Sequence, residues 1–201
     1  MIVVVDYGMG NTRSVSKALQ HLGQTVLLTS DPAAIRRAER VVVPGQGALG
    51  DGMRQLERAG ALQAVRHAAA NKPFLGICVG MQMLFEQGEE GAATGLGILD
   101  GRVPRLRLPP GTRVPHVGWN EVEQVGRHEL WQGIQNGARF YFAHSYVPAP
   151  ADPALIAATC TYGTTFACAI AKDNLFGVQF HPEKSQPAGL QLLSNFIAWR
   201  P

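Results

Sequence analysis

The chain has 201 residues, of which 46% are hydrophobic, so it can bury a substantial core. Its formal net charge of +3 is modest and it has no long Lys or Arg run, which argues against nucleic acid as a partner. The apolar run Ile2–Val5 is too short for a signal peptide or a membrane span. The 3 cysteines form no even framework, which favours a reducing cytoplasm. We expect one cytoplasmic domain over residues 1–201, with neither nucleic acid nor membrane as a partner.

The first half of the chain alternates short β-rich runs with helical patterns. This order is typical of βαβ units in a mainly parallel central sheet with helices on both faces. The pattern predicts strands over residues 2–5, 25–28, 41–43 and 74–77. It predicts helices over residues 14–22, 61–70 and 79–85, and a short helix capped by Ser30 or Asp31 with Pro32 in its first turn.

From residue 95 onward, strands follow one another with turn residues between them. The predicted strands cover residues 98–102, 114–116, 121–125, 139–143, 156–160 and 165–171. Such a series indicates an antiparallel extension of the parallel sheet. An apolar strand over residues 175–180 and a helix over residues 189–199 end the chain. No repeat, low-complexity tract or linker divides it, so the prediction is a single α/β domain.

The segment Gly76-Ile77-Cys78-Val79-Gly80-Met81-Gln82 carries the strongest chemical signal. One cysteine stands between two glycines at a predicted strand-to-helix junction. The glycines allow the sharp turn of a nucleophile elbow, which projects the sulfur above the sheet. The start of the following helix favours the thiolate through its unpaired N–H groups and its dipole. Cys78 is therefore predicted to be a nucleophile, whereas Cys160 and Cys168 lie in β-like runs and are expected to be small buried residues.

His181 and Glu183 supply the groups that such a nucleophile needs. A thiolate that attacks an amide requires a base, a group that orients the base, and donors for the developing oxyanion. Residues two apart in an extended segment point to the same side, so His181 can face Cys78 with Glu183 behind it. The pattern predicts a catalytic triad with Cys78 as nucleophile, His181 as general base and acid, and Glu183 as the orienting group.

Two backbone donors are candidates for the oxyanion site. The N–H of Val79 comes directly after the nucleophile, and a second N–H, that of Gln46, lies in the loop Pro44-Gly45-Gln46-Gly47 after the third strand. Glycines let this loop approach closely and let a peptide rotate. We therefore hypothesise that the loop must reorient before its amide faces the oxyanion.

Other signals are weaker. Gly8-Met9-Gly10 hints at a dinucleotide loop, but Arg13 stands where the third glycine belongs. No Walker A sequence occurs, and no His, Cys or Asp spacing indicates a metal site, so neither a metal nor a cofactor is predicted. Taken singly, the Cys78 motif could be a tight turn with a buried cysteine and the His181 motif could be surface decoration. Their joint occurrence at the ends of two predicted strands favours catalysis.

Together these residues resemble the class I (triad) glutamine amidotransferases, from the first strand to the last helix. The resemblance depends on Pro44-Gly45-Gln46-Gly47, on the Cys78 motif and on His181-Pro182-Glu183. Asp6-Tyr7-Gly8-Met9-Gly10-Asn11, Pro115-His116-Val117-Gly118-Trp119-Asn120 and Tyr141-Phe142-Ala143-His144-Ser145-Tyr146 narrow it to the glutaminase subunits of imidazole glycerol phosphate synthases. The resemblance implies the flavodoxin-like fold of class I amidotransferases.

It also implies a reaction. Cys78 would attack the side-chain amide of L-glutamine, His181 would protonate the departing ammonia, and water would hydrolyse the γ-glutamyl thioester to glutamate. The positions that match the family's glutamine-binding residues are Gly47, Gln82, Glu90, His144 and Ser145.

The implied partner is a (β/α)8-barrel synthase (cyclase) subunit in a heterodimer. There the ammonia would react with a phosphoribulosyl-formimino carboxamide ribonucleotide, giving imidazole glycerol phosphate and an aminoimidazole carboxamide ribonucleotide in histidine biosynthesis. Trp119, in a predicted loop, is a candidate interface anchor, with core packing as the alternative. Asn120, Tyr141 and Lys184 are further interface candidates.

Three other functions stay open at this point. The chain could be another class I glutaminase subunit, serving pyridoxal phosphate synthesis or anthranilate formation. It could be a free-standing γ-glutamyl peptidase, which would use the same triad without ammonia transfer. A non-catalytic binding module is the third alternative, and the intact triad argues against it.

Overall fold

The computed structural model describes all residues from Met1 to Pro201. The strands are β1 (Ile2–Val5), β2 (Val26–Thr29), β3 (Arg40–Gly45), β4 (Phe74–Cys78), β5 (Phe85–Gly88), β6 (Ala93–Thr94), β7 (Leu99–Val103), β8 (His116–Glu121), β9 (Glu123–Gln124), β10 (Arg139–His144), β11 (Ala149–Pro150), β12 (Ile156–Tyr162), β13 (Thr164–Lys172) and β14 (Leu175–Val178). The helices are α1 (Thr12–His21), α2 (Pro32–Arg37), α3 (Leu49–Arg58), α4 (Leu62–Asn71), α5 (Val79–Gln82) and α6 (Gln186–Ala198). Short 3-10 helices cover Glu90–Ala92, Glu129–Trp131, Pro153–Leu155 and Pro182–Lys184.

An eight-stranded sheet with the order β2-β1-β3-β4-β14-β13-β12-β9 forms the centre of the molecule. Strands β2, β1, β3, β4 and β14 are parallel, and β13, β12 and β9 continue the sheet with antiparallel pairing. Helix α1 packs with α6, while α2 and α3 pack with α4. Since β1 leads to β2 on one side and β2 leads back past β1 to β3 on the other, the usual right-handed crossovers put these two groups of helices on opposite faces of the sheet. The predicted α/β class with an antiparallel extension is confirmed.

Several predicted element boundaries are wrong. The helix predicted over residues 79–85 ends at Gln82, because Phe85–Gly88 pairs with β6 and β7 as a strand. The strand predicted over residues 114–116 instead covers His116–Glu121 as β8, which runs through Gly118 and pairs with β10 along its whole length. The strand predicted over residues 121–125 is present as the shorter β9, Glu123–Gln124, which pairs with β12 at the end of the main sheet. Strands β7, β8 and β10 also lie outside the main sheet: β10-β8 forms a two-stranded sheet and β11-β7-β5-β6 a four-stranded one.

Strand pairing brings the chemically important segments to one edge of the sheet. Strand β4 lies between β3 and β14, with Gly45 opposite Cys78 and Val178 opposite Ile77. The carboxyl ends of the three parallel strands therefore lie side by side, which is where open α/β sheets bind ligands. The loop after β3, the residue Cys78 and the segment after β14 meet there.

Gly80 sets how closely α5 approaches the sheet. A Cβ atom at this position would lie 1.8 Å from the Val43 carbonyl oxygen of β3, a distance that no side chain tolerates. A Cβ atom at Gly76 would likewise lie 2.8 Å from the Gly80 carbonyl oxygen. The glycines of the Cys78 motif are thus required by close backbone contact, which holds the start of α5 against β3 and β4.

The core on either side of the sheet is apolar and rich in phenylalanine. Its fully buried aromatic side chains are Phe74, Phe85, Phe140, Phe142, Phe176, Phe180 and Phe196. Cys160 and Cys168 are buried and unpaired, which confirms their predicted role as small core residues. No helix has the length and apolar character that a membrane crossing requires.

Candidate active site

Cys78 ends β4 and begins the sharp turn into α5. Its φ of 56° and ψ of −113° are unfavourable for a residue with a side chain, and only the packing around it maintains them. The turn is therefore the strained nucleophile elbow that the sequence predicts. The residue is only 3% exposed, so its sulfur is enclosed by neighbouring segments.

His181 and Glu183 lie close to this sulfur. The Nδ1 atom of His181 is 2.9 Å from Glu183 Oε1. Since a carboxylate accepts hydrogen bonds, Nδ1 must carry the proton and the other ring nitrogen is left for Cys78. Burial alone would lower the pKa of His181, but its interactions with the neighbouring Cys78 and Glu183 raise it to about 10. The three predicted triad residues are thus brought together.

Ser185 fixes the backbone that carries His181. Its Oγ donates a 2.6 Å hydrogen bond to the His181 carbonyl and accepts one of 3.0 Å from the Tyr141 N–H. The His181 N–H in turn donates to the Tyr141 carbonyl at 2.8 Å. Strand β10 therefore fixes the main chain of His181, and through it the position of the imidazole.

The Glu183 carboxylate is held from a second direction by the loop after β1. Asn11 Nδ2 donates to Glu183 Oε1 at 3.4 Å, the same oxygen that faces His181. The other oxygen, Oε2, is buried without a hydrogen-bond partner in the chain. A carboxylate with one unpartnered oxygen keeps most of its charge available to the imidazole.

The loop after β3 is anchored by Tyr7. Its hydroxyl donates a 2.7 Å hydrogen bond to the Pro44 carbonyl. Burial, and then the negative charge of Cys78, raise the pKa of Tyr7 well above its ordinary value, so it remains a donor at any physiological pH. Beyond this anchor Gln46 and Gly47 are exposed, and Gly47 has a φ of 82°, which favours glycine.

Two buried glutamine side chains complete the surroundings of the sulfur. Gln82 Nε2 lies 3.2 Å from the Tyr146 carbonyl oxygen and 3.0 Å from Gln179 Oε1. Gln179 Nε2 lies 3.5 Å from Cys78 Sγ. Of the predicted substrate-binding residues, Gln82 is therefore connected to the nucleophile through one intervening side chain.

The family model described as "Glutamine amidotransferase class-I" matches residues 3–199. The chain belongs to the class I glutamine amidotransferases. This match confirms the family and the enzyme class predicted from the Cys78 and His181 motifs.

Curated relatives of this amidotransferase are similar over their whole length. The chain is 57% identical over 209 residues to the protein named imidazole glycerol phosphate synthase subunit HisH of Dechloromonas aromatica, covering 100% of this chain and 97% of that one. It is 56% identical over 209 residues to the protein of the same name in Nitrosospira multiformis, covering 100% and 98%. It is 52% identical over 200 residues to that of Acinetobacter baylyi, covering 98% of both.

Solved structures share the fold at lower sequence similarity. One titled as a glutamine amidotransferase superposes with a TM-score of 0.76 at 18% identity, covering 98% of both chains. The structure of PurLQS from Thermotoga maritima superposes with a TM-score of 0.73 at 20% identity, covering 98% of this chain and 97% of that one. These two structures support the amidotransferase fold predicted from the sequence.

His144 is the second predicted substrate-binding residue with a defined environment. Its Nδ1 lies 3.0 Å from the Tyr146 carbonyl and its Nε2 lies 2.9 Å from His116 Nδ1. Because a carbonyl only accepts, the His144 proton is on Nδ1 and His116 must donate from its own Nδ1. Burial lowers the pKa of His144 to about 3 and that of His116 to about 4. Both rings are therefore neutral, with their tautomers set by one backbone carbonyl.

The remaining substrate-binding candidates lie further from the sulfur. Glu90 is in the 3-10 helix Glu90–Ala92 and lines a cavity with Ala48 and Gly50 that Cys78, His181 and Gln82 do not reach. Ser145 directly follows β10 and is partly exposed. The structure does not bring Glu90 and Ser145 into contact with the three predicted triad residues. Glu90 does share its cavity with Ala48, which directly follows Gly47.

Three of the four predicted interface residues form one cluster at the surface, in which Trp119 and Lys184 are exposed and Tyr141 is half-buried. Trp119 is 38% exposed and its ring lies 6.2 Å from that of Tyr141, over which Lys184 Nζ sits at 5.5 Å. Trp119 is in a strand, so the predicted loop is wrong, and it is not a core residue. Asn120 points away from this cluster, because strand alternation turns its amide inward to Thr161 and His116. We call Trp119, Tyr141 and Lys184 the aromatic cluster.

Several residues near the site were not predicted from the sequence. Tyr7, Gln179 and Ser185 each contact a triad residue or the loop after β3, and His116 fixes His144. Tyr7 and His116 lie in segments on which the family resemblance depends, and Gln179 lies in the strand predicted over residues 175–180. A polar side chain inside an apolar segment indicates a buried hydrogen bond, since buried polar groups require partners. This signal could have identified the three residues.

The raised pKa of His181 gives a testable prediction. We expect Glu183→Gln to lower the pKa of His181 by removing a charge that opposes the effect of burial. Nuclear magnetic resonance titration of the His181 ring measures this directly.

The free energy of unfolding should depend on pH for the same reason. A folded-state pKa above the ordinary value of 6.5 stabilises the fold fully below pH 6.5, and this contribution is lost as the pH rises to about 10. The difference in unfolding free energy between the natural protein and Glu183→Gln should therefore shrink over that range. A His181 pKa that does not change on substitution would contradict the assignment of Glu183.

Proposed function

We propose that this chain is the glutaminase subunit of an imidazole glycerol phosphate synthase, with Cys78, His181 and Glu183 as its catalytic triad. The observation that carries the proposal is the hydrogen-bonded Glu183–His181 pair beside a cysteine in a strained elbow. Full-length identity of 51–57% to proteins named as this subunit supports the choice among class I amidotransferases. No observation favours the other glutaminase subunits or the peptidase.

The first half-reaction forms a thioester. The Cys78 thiolate attacks the side-chain amide carbon of glutamine, and the carbonyl oxygen becomes an oxyanion. His181 is charged at neutral pH because of its raised pKa, so it can give its proton to the amide nitrogen. The carbon–nitrogen bond breaks, ammonia leaves, and a γ-glutamyl thioester remains on Cys78.

The second half-reaction restores the enzyme. Neutral His181 takes a proton from water, which attacks the thioester carbon. Collapse of the new tetrahedral species releases glutamate and the Cys78 thiolate, and His181 is again protonated. Glu183 holds Nδ1–H throughout, so the same ring nitrogen serves as acid and then as base.

The oxyanion donors are the N–H of Val79 and that of Gln46. Val79 is the first residue of α5, and Gly45, next to Gln46, pairs with Cys78. Cys78 is enclosed, whereas Gln46 and Gly47 are exposed. We propose that these two residues move to admit glutamine and to turn the Gln46 amide toward the oxyanion, while Tyr7 keeps the Pro44 end of the loop fixed.

Glutamine itself is bound by Gly47, Gln82, Glu90, His144 and Ser145. Gln82 and His144 already share the Tyr146 carbonyl as a partner, so they form a rigid wall of the pocket. The Glu90 carboxylate suits the substrate ammonium group. Glu90 lines a cavity that the triad does not reach, so the 3-10 helix Glu90–Ala92 must move toward the triad when the substrate binds.

Transfer of ammonia explains the need for a partner. Ammonia released into water would be protonated and would lose its nucleophilicity, so it must pass under cover to the synthase (cyclase) subunit, a (β/α)8 barrel. We propose that the aromatic cluster is the docking surface, with Val117 of β8, which is 57% exposed, beside it. Because Tyr141 is bonded to the His181 backbone, docking can influence the triad directly.

Removal of a triad residue should separate the two activities of the complex. Cys78→Ala or His181→Ala should lower glutamine-dependent turnover by at least about 10³-fold, while the complex still uses added ammonium salts. A steady-state assay with each nitrogen source measures both rates. If the ammonia-dependent reaction is lost as well, the role assigned to these residues is wrong.

Removal of Trp119 should act on association. We expect Trp119→Ala to weaken binding to the synthase subunit by about 2 kcal/mol or more, since exposed Trp residues are common interface hot spots. Isothermal titration calorimetry measures the affinity, and Leu27→Ala, at an exposed apolar residue on β2, is the matched control. Equal affinities for the two variants would exclude Trp119 as the anchor.

A further inference from the structure

Gln179 lies beside the nucleophile because of strand register. Val178 of β14 is paired with Ile77 of β4, so the next residues along the two parallel strands, Gln179 and Cys78, are neighbours. His181 follows two residues later, and Cys78 is among the groups that shift its pKa. Gln179 is fully buried, and its main-chain N–H is bonded to the Cys168 carbonyl of β13.

The hydrogen-bond network determines which end of the Gln179 amide faces the sulfur. The Tyr146 carbonyl oxygen can only accept, so the Gln82 atom 3.2 Å away must be its NH2 group. The Gln179 atom 3.0 Å from that NH2 group must therefore be the carbonyl oxygen. The remaining Gln179 atom, 3.5 Å from Cys78 Sγ, is consequently a donor.

We propose that Gln179 is a further catalytic residue, whose amide donates a hydrogen bond to Cys78 Sγ and stabilises the sulfur as a thiolate. The inference rests on the proposed function to the extent that Cys78 is the nucleophile. A thiolate accepts a hydrogen bond more strongly than a thiol, because the bond is then charge-assisted. His181 stabilises the negative charge of the Cys78 thiolate from one side, and the Gln179 amide stabilises it from another.

The buried position makes this donor permanent. If the Gln179 amide flipped, its NH2 group would face the NH2 group of Gln82 and its oxygen would face the thiolate, and both contacts would be repulsive. Gln82 is itself held by Tyr146, whose carbonyl is also bonded to His144. The amide therefore keeps its orientation without help from the substrate.

The test is the pH dependence of Cys78 alkylation by iodoacetamide, because only the thiolate reacts. Peptide mapping by mass spectrometry assigns the product to each cysteine. Cys160 and Cys168 serve as internal references: burial raises the pKa of Cys160 to about 12 and that of Cys168 well above its ordinary value. They remain thiols between pH 5 and 9.

Two variants remove the donor in different ways. Gln179→Met keeps the approximate length of the side chain, and we expect Cys78 alkylation at pH 6 to fall about tenfold, with the rise in rate displaced to higher pH. Gln179→Glu still accepts from Gln82 but places an oxygen near the sulfur, so its loss should be larger. Gln191→Met, the same change at an exposed position, should leave the profile unchanged.

The possible outcomes are distinct. Superimposable pH profiles for the natural protein and a Gln179 variant with native circular dichroism would overturn the role of Gln179. If Gln179→Met does not fold, Gln179→Glu decides by the same criterion. A natural Cys78 that is no more reactive than Cys160 would overturn the proposed function as well, so failure of the two proposals can be distinguished. A Gln82→Met variant whose profile equals that of the natural protein would overturn the claim that Gln82 fixes the amide.

Discussion

The parallel pairing of β4 with β3 on one side and β14 on the other is the constraint on which the site depends. It places Gly45 opposite Cys78, and Gln179 next to Cys78 on the other side. Cys78 is the last residue of β4, and Gln179 and His181 follow the end of β14, so the spacing of these neighbouring strands brings the three side chains together. Gly80 is part of this constraint, because any side chain there would clash with the Val43 carbonyl and prevent α5 from packing directly against β3. The fold therefore determines the geometry of the triad before any substrate is bound.

Burial is the second physical theme of the site. Cys78 and His181 are both almost inaccessible. Burial alone would lower the pKa of His181, and its interactions with Cys78 and Glu183 reverse this effect and raise the pKa. The same enclosure limits access to the sulfur, and in the proposed function the exposed loop at Gln46 and Gly47 moves to admit the substrate. Binding of a partner at the surface could therefore change the geometry of this enclosed site. The bonds that join Tyr141 to His181 and Ser185 connect the aromatic cluster with the imidazole in two steps.

The sequence predicted those features of the fold and the site that depend on residues close together in the chain. The glycine-flanked Cys78 and the His181 motif indicated three residues that the structure brings together, and hydrophobic periodicity indicated the parallel half of the sheet. The extended segment assumed for His181 and Glu183 is wrong, because β14 ends at Val178 and Pro182–Lys184 forms a 3-10 helix. The helix predicted after Cys78 was too long because long-range pairing recruits Phe85 into a strand. Trp119 was expected in a loop because Gly118 and Asn120 are typical turn residues, yet pairing with β10 overrides that preference. Gln179 and Tyr7 act on residues 101 and 37 positions away, and no local pattern records such contacts.

The most direct test of the account is whether the Cys78 sulfur and the His181 imidazole lie within reach of one small molecule. 1,3-Dibromoacetone alkylates a thiol and then bridges it to a nearby imidazole nitrogen, and digestion followed by mass spectrometry identifies the joined peptides. The account predicts a bridge between Cys78 and His181, and its loss in Cys78→Ala and in His181→Ala. A Cys78 that is alkylated without any bridge, or that is bridged to a different histidine such as His144, would contradict it.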